Sequence, residues 1–380
     1  MGVIGGIFSG DMAASRCNDA LAMSRAMMAR GGLLRRCYTN KGVTLFSGSG
    51  HWDGGIPLIA IGENDGGRVV VAVDGLPTVD RISDFESYSR IGDGAQTLLV
   101  GYLRYGNDLW EHIKGEFAAA IYDERQGELT LARDRKGSRP LFFARDGFFF
   151  AFASEIKGLT GFLDGAVTVD RTRLAEHILS PCERLGAGFY EDIYEIPQGG
   201  GLVLSRLGAH FFDLPKRDEP ECEIYENKVM DEIALSPDVE ELRGMLQTVL
   251  FSYDQPQFDA YMPSFIKRLS TVRRGDTISD STVCMNIAYS NERRDRLCSY
   301  YGNYVRCISP SRSKVMNMRG IERGLDALLS EYNSVAIARI FGDKLKENVL
   351  GERNIARRIR MKGMLYQTLI WDQVCNIVFK

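Results

Sequence analysis

Paired metal-ligand spacing is missing from this chain. Its eight cysteines (Cys17, Cys37, Cys182, Cys222, Cys284, Cys298, Cys307 and Cys375) form no C-x-x-C pair, and its four histidines (His51, His112, His177 and His210) are scattered. Zinc-site spacing is therefore absent and no metal is expected. Long apolar runs are lacking too: nothing approaches the roughly 20 consecutive residues a membrane helix needs. The first residues carry neither a basic stretch nor a signal-peptide core, so the cysteines read as reduced thiols of a cytoplasmic protein. Met1-Gly2 opens as a myristoylation signal would, but Gly6 stands where that signal has Ser or Thr. Charge of one sign is also scarce. Lys and Arg number 47 against 50 Asp and Glu, a net charge of -3, which removes the electrostatic case for nucleic acid or an anionic membrane as partner.

What is present is an ordinary globular composition, 44% hydrophobic and 26% charged, in 380 residues, which is length enough for two cores. Up to about Leu214 short apolar runs alternate with Gly-bearing turns. Arg68–Val73 ends at Asp74-Gly75, and Phe117–Tyr122 meets Asp123 and Gly127. Glu128–Ala132, Pro140–Ala144 and, after Arg145-Asp146-Gly147, Phe148–Ala153 follow. Strands at this spacing predict an antiparallel meander packed in layers. Helical spacing interrupts it over Cys17–Arg30 and Gln96–Tyr105. Near Pro215 the texture changes. Lys216–Glu226 is charged, holds Pro220 and reads as a linker. Beyond it the helical period dominates over Val239–Leu250 and Gly320–Tyr332, and the basic cluster between Arg353 and Lys362 reads as a solvated helix face. There is no internal repeat and no low-complexity tract.

Three motifs stand out: Gly115–Asp123 (GEFAAAIYD), Leu131–Phe143 (LARDRKGSRPLFF) and Phe152–Leu159 (FASEIKGL). In order and spacing they resemble the series of the asparagine synthetase B family, and the resemblance continues through Phe189–Gly200, covering about the first 55% of the chain. It implies a class II, N-terminal-nucleophile glutamine amidotransferase-like domain over residues 1–214, an α+β fold of αββα layers with antiparallel sheets. A linker over 215–237 and a truncated asparagine-synthase-like domain over 238–380 are expected after it. That second part would be a mostly α or α/β remnant of an adenine-nucleotide (HUP-like) domain. On the residues themselves, Arg133, Asp134 and Arg135 sit where a strand ends, so their alternating charges can pair with neighbours and fix the turn at Gly137. Glu155 belongs to the same structural motif.

The glutaminase chemistry of the family needs a cysteine at the second position, whose thiolate attacks the glutamine amide while its α-amine acts as base. Here Gly2 takes that place. Cys17 cannot substitute, because only the second residue gains a free amine in the right place. The family's Asn-Gly, which helps form the oxyanion hole, appears as Asp74-Gly75, a carboxylate that would repel a developing oxyanion. The family's Asp-Thr-Glu, which binds the glutamine amine, aligns with Gly94-Ala95-Gln96, with Asp93 one place away. Arg30-Gly31-Gly32 is the nearest relic of the Arg-Gly-Pro-Asp loop. No catalytic residue is therefore assigned, and the resemblance implies an abandoned glutaminase.

The second part lacks the family's Ser-Gly-Gly-x-Asp-Ser pyrophosphate loop, whose backbone N–H groups cradle phosphate. Tyr253–Ser264, with Asp254, resembles a later landmark of that domain, in the flavour of the lasso-peptide macrocyclase branch. Gly275–Cys284 offers Asp280 at a loop carboxylate position, and Ser279-Asp280-Ser281 can alternatively be aligned as a pyrophosphate loop without its glycines. Asp254, Asp280 and Ser281 are thus the candidate remnant of a synthetase site, with ATP and Mg as the cofactors the resemblance implies. Three functions stay open. One is an ATP-dependent amide-forming ligase independent of glutamine, of peptide macrocyclase or β-lactam synthetase type, acting on a peptide or small carboxylate. The second is a non-catalytic protein that binds a peptide or a partner protein, and the third is an asparagine synthase using free ammonia.

Overall fold

The computed structural model describes residues 2–9, 16–28, 34–40, 42–49, 59–64, 66–80, 93–163, 167–179, 190–216, 229–230, 237–253, 256, 258, 263, 266, 277–279, 306–308, 318–332, 339–340, 345, 347–349, 351–375 and 378–379. They fall into two compact units, Met1–Gly165 with Asp192–Cys222, and Ala166–Glu191 with Glu223–Lys380.

The first unit is built on two six-stranded sheets. One runs, edge to edge, Ile193–Glu195, Phe142–Asp146, Phe149–Ala153, Gly2–Ser9, Val43–Ser49 and Leu34–Asn40. The other runs Gly208–Asp213, Gly200–Ser205, Glu128–Arg133, Phe117–Asp123, Gly67–Gly75 and Ile59–Asn64. Every pairing within them is antiparallel. Period-2 alternation then decides which side chains meet. Ile4, Phe8, Leu45 and Phe152 of one sheet and Val70, Ala72, Ala120, Tyr122 and Leu131 of the other share one core between the sheets. The intervening residues of the second sheet, Val69, Val71, Val73, Ala119 and Ile121, turn outward onto Leu98, Leu99 and Tyr102 of the helix Gly94–Tyr105. The helix Cys17–Ala26 covers the outer face of the first sheet, with Ala20 and Met23 buried. The order is helix, sheet, sheet, helix, an α+β arrangement in the layers the motif series implied.

Local chemistry explains the boundaries. Asp123 ends its strand by accepting the N–H groups of Arg125 and Gln126 at 2.9 and 3.1 Å, and Gly127 closes the turn at φ +65°. The helix expected over Cys17–Arg30 stops at Ala26, and the strand expected over Pro140–Ala144 runs Phe142–Asp146 because Ser138 to Leu141 are occupied by the preceding turn.

In the second unit the helices Val239–Tyr253, Met318–Ser330 and Ile355–Cys375 pack together through Leu242, Leu246, Ile321, Leu325, Leu365 and Leu369. A Cβ on Gly324 would lie 2.8 Å from Leu242 Cδ2, so the first two helices cross closely there. Val229–Met230, inside the stretch expected to be linker, pairs in parallel with Thr277–Ser279, which pairs in parallel with Arg306–Ile308. Among the described residues this unit is therefore α/β. No helix among them is long and apolar enough to cross a membrane.

The basic cluster at Arg353–Lys362 departs from the expected solvated face. Arg353 and Arg357 are exposed, but Arg358, Arg360 and Lys362 turn inward. Arg358 binds Glu322, Arg360 donates to Ile178 O at 2.8 Å, and Lys362 Nζ lies 3.0 Å from Glu322 and 2.6 Å from Asp326. The neighbouring helix supplies carboxylates at i and i+4, a pattern invisible from the basic segment alone.

The hydrogen bond from Arg358 and the Lys362 charge hold the Glu322 carboxyl down at about 2, against the desolvation that raises it. A carboxyl lowered on folding stabilises the protein above its unfolded value of 4.5 and loses that contribution as pH falls toward 2. Glu322→Gln should therefore be less stable than wild type at pH 7, the gap closing as pH falls below 4.5; denaturant titrations across that window check it. Phe152→Ala, which empties the inter-sheet core, should cost about 3–5 kcal/mol in the same assay.

Candidate functional site

At one end of the sandwich the inward positions change from apolar to charged. Asp74 follows Val70 and Ala72 on the inner face of its strand and is only 1% exposed. Gly2 begins the facing strand, and its N–H donates to Asp74 Oδ1 at 3.3 Å. Arg139, 2% exposed, brings Nη1 to 3.9 Å from the same oxygen and Nη2 to 3.7 Å from Glu116. A buried carboxylate is tolerable only with such partners. Ser47, two residues beyond Leu45 on the adjacent strand, is fully buried, and its hydroxyl has no hydrogen-bond partner among the described residues. Ser154 Oγ accepts from Ile4 N–H at 2.9 Å and lies 3.2 Å from Ile4 O, clipping the loop after Ala153 to the first strand.

The glycines of the site are forced by close backbone approach. Gly75 holds φ +123°, and a Cβ there would collide with the Glu116 carbonyl. A Cβ on Gly94 would lie 2.7 Å from Gly75 O and 2.9 Å from Pro77 Cδ. The structure thus brings Gly2, Asp74, Gly75 and Gly94 into one region through two contacts, Gly2 on Asp74 and Gly94 on Gly75. Asp93 caps the helix, its Oδ1 accepting from Gln96 N–H at 3.0 Å.

The remaining motif residues form the frame. Arg133 is buried and directs four of its five N–H groups at four acceptors: Nε donates to Arg139 O at 2.7 Å, Nη1 to Glu195 Oε1 and Ile196 O at 2.8 and 2.7 Å, and Nη2 to Gly137 O at 2.8 Å. Asp134 Oδ1 accepts from the N–H groups of Lys136 and Ser138 at 2.9 and 3.2 Å, and Oδ2 accepts from Phe117 N–H at 3.3 Å. Arg135 donates to the carbonyls of Pro215, Ile113 and Trp110 at 2.8, 3.0 and 3.2 Å. Gly137 turns the chain at φ +64°, and Glu155 is buried with Lys157 Nζ at 3.1 Å. Asp254, Asp280 and Ser281 lie outside the described residues.

No cysteine takes over at Gly2 among the described residues. Cys37 and Thr39 alternate with Tyr38, whose ring is in the inter-sheet core, so they face the other side of the sheet, where Cys17 Sγ is 3.4 Å from Thr39 Oγ1. Burial pushes the Cys37 thiol up, away from the thiolate. Among the described residues no three His, Cys, Asp or Glu side chains gather to hold a metal ion. Arg139 and Ser47 were not singled out from the sequence. Arg139 stands inside the second motif, between Ser138 and Pro140, and its place in that motif was its only signal; Ser47 had none.

Residues 84–211 match the model of a glutamine amidotransferase domain family. This is an asparagine synthetase B-like glutamine amidotransferase domain. The chain is 36% identical over 126 residues to asparagine synthetase [glutamine-hydrolyzing] 3 of Bacillus subtilis, covering 33% of this chain and 20% of that protein. It is 28% identical over 136 residues to a putative asparagine synthetase [glutamine-hydrolyzing] 2 of Methanocaldococcus jannaschii, covering 35% and 25%. The matched stretch thus spans only a fifth to a quarter of these relatives. A solved structure of the allosteric regulatory enzyme of purine biosynthesis gives a TM-score of 0.40 at 13% identity over 83% of this chain and 68% of that one, a likeness too slight to carry weight.

Removing a buried charged partner leaves its acceptors desolvated and unmet. Arg133→Met should therefore lower the unfolding free energy of the amidotransferase domain by about 3–5 kcal/mol. A loss of under about 1 kcal/mol in equilibrium denaturation would contradict the four-acceptor arrangement.

Proposed function

We propose that this chain does not hydrolyse glutamine and keeps its amidotransferase domain as a folded platform. The observation that carries this reading is the carboxylate of Asp74, buried and accepting from Gly2 N–H; the resemblance gives its position to a residue that helps form the oxyanion hole. Amide hydrolysis needs a nucleophile and donors aimed at the oxyanion. Gly2 offers no side chain, and Asp74 offers an acceptor of the wrong sign. Arg139 brings Nη1 to 3.9 Å from Asp74 Oδ1, so its charge is set against that carboxylate. Gly94 at the start of its helix leaves no side chain to hold a substrate amine.

Beyond the domain, we read the chain as a glutamine-independent, ATP-dependent amide-bond-forming protein of peptide macrocyclase or β-lactam synthetase type, where the attacking amine belongs to the substrate. The parallel pairing of Val229–Met230, Thr277–Ser279 and Arg306–Ile308 supports it, since open parallel sheets bind ligands beyond the carboxyl ends of their strands. Asp280 and Ser281 follow the central strand directly in the sequence. ATP and Mg belong to this reading by resemblance alone. A second reading, a non-catalytic peptide- or partner-binding protein, is favoured by the aromatic row Tyr194, Phe143 and Phe211 on the amidotransferase domain. Its ring centroids lie 5.3 and 6.0 Å apart, with Tyr194 50% and Phe211 59% exposed.

Gly2→Cys, with Met1 removed so that the substituted residue carries the free α-amine, should release no glutamate from glutamine. Only with Asp74→Asn added would a trace be expected. Steady release from the single variant would overturn the reading of Asp74. ATP–pyrophosphate exchange driven by a peptide or small carboxylate would support the ligase reading. Absence of any ATP-induced shift in Tm would sink it and leave the binding protein.

A further inference from the structure

A second polar feature lies in the other unit and takes no part in the function proposed above. The helix Met318–Ser330 is two-faced. Ile321, Gly324, Leu325 and Leu328 are buried, while Arg319, Glu322, Arg323 and Asp326 form the opposite stripe at i, i+3, i+4 and i+7. With Ile355 and Arg358 at the start of the helix Ile355–Cys375, this stripe lines a hollow of about 820 Å³. That volume falls in the range of small-molecule sites, roughly 300–1,000 Å³.

The charges around the hollow are not balanced. Glu322 is committed to Arg358 and Lys362, and Asp326 to Lys362. Arg319 and Arg323 have no ion pair among the described residues. Arg323 Nε donates to Arg319 O at 3.4 Å, which lays the side chain along its own helix and leaves both terminal nitrogens uncommitted. Three cations, Arg319, Arg323 and Arg358, thus line the hollow against two carboxylates, and the two guanidiniums without an ion pair among the described residues stand one helical turn apart on its wall. Guanidinium forks match the paired oxygens of phosphate and carboxylate groups.

We propose that the hollow between Arg319, Arg323 and Arg358 binds a small ligand carrying two or more oxyanion groups, phosphate or carboxylate, with Arg319 and Arg323 as its contacts. Arg358, held by Glu322, shapes the wall and supplies field without changing partner. The locked Glu322 and Asp326 carboxylates exclude ligands with a single charge, since one anion gains too little against them.

Calorimetric titration of the full chain with inorganic pyrophosphate, and separately with citrate, tests this without glutamine or ATP, so its outcome is independent of the function proposed above. Saturable binding of at least one probe is expected, weakening as salt is raised. The Arg319→Ala/Arg323→Ala double variant should bind about tenfold or more weakly, as loss of two charge-assisted contacts implies. Arg25→Ala, an exposed arginine of the amidotransferase domain, should bind as wild type does. Preference for pyrophosphate assigns phosphate chemistry and preference for citrate assigns carboxylate chemistry. Equal binding by wild type and the double variant, or no saturable binding of either probe at low salt, overturns the proposal. If the alanine pair fails to fold, Arg319→Gln/Arg323→Gln gives the same comparison with side-chain length kept.

Discussion

Two antiparallel sheets stacked face to face are held at one end by a guanidinium. Arg133 leaves the last position of its strand in the second sheet and donates to Glu195, on the edge strand of the first, and to the carbonyls of Ile196, Gly137 and Arg139. Apolar packing sets the sheets at a distance but is indifferent to small slides. Four directional bonds from one planar group are not. They fix the turn 134–139, and that turn delivers Arg139 to Asp74. The pairing of Arg139 with Asp74 thus follows from the turn this one side chain holds.

Asp74 shows the other side of that dependence. Its burial is tolerated because Gly2 N–H, from the first sheet, and Arg139, from the turn that joins the two sheets, both face it. A charge that would count against the fold in isolation becomes a second tie across the sandwich. The same tie sets the sign of the charge this end presents, a buried carboxylate facing a guanidinium.

Much of the amidotransferase domain was legible because alternation has a period of 2 and its signals are local. Val69 to Val73 alternate between two cores, and Asp123, Gly127 and Gly137 announce their own turns. The motif residues were readable as a frame, since charges at a buried strand end need partners, although Glu195, Ile196 and Pro215 lie 60 or more positions from the arginines they bind. Arg139 escaped notice because its partners, Asp74 and Glu116, lie more than 20 positions away, and Ser47 because only the packing of the two sheets buries its hydroxyl. The Arg353–Lys362 cluster misled for the same reason: its carboxylates sit on the helix Met318–Ser330, and a basic run looks solvated until that helix is laid beside it. The short parallel strand Val229–Met230 is only two residues long, too little for any period to register.

Gly94 carries a consequence for what this end of the domain can accept. The start of its helix rests directly on the Gly75 carbonyl, at a separation that admits no side-chain carbon. Any larger residue there would require the helix to back away from its sheet, against the packing of Leu98, Leu99 and Tyr102. The position works as a latch: the absence of one carbon lets helix and sheet close on each other.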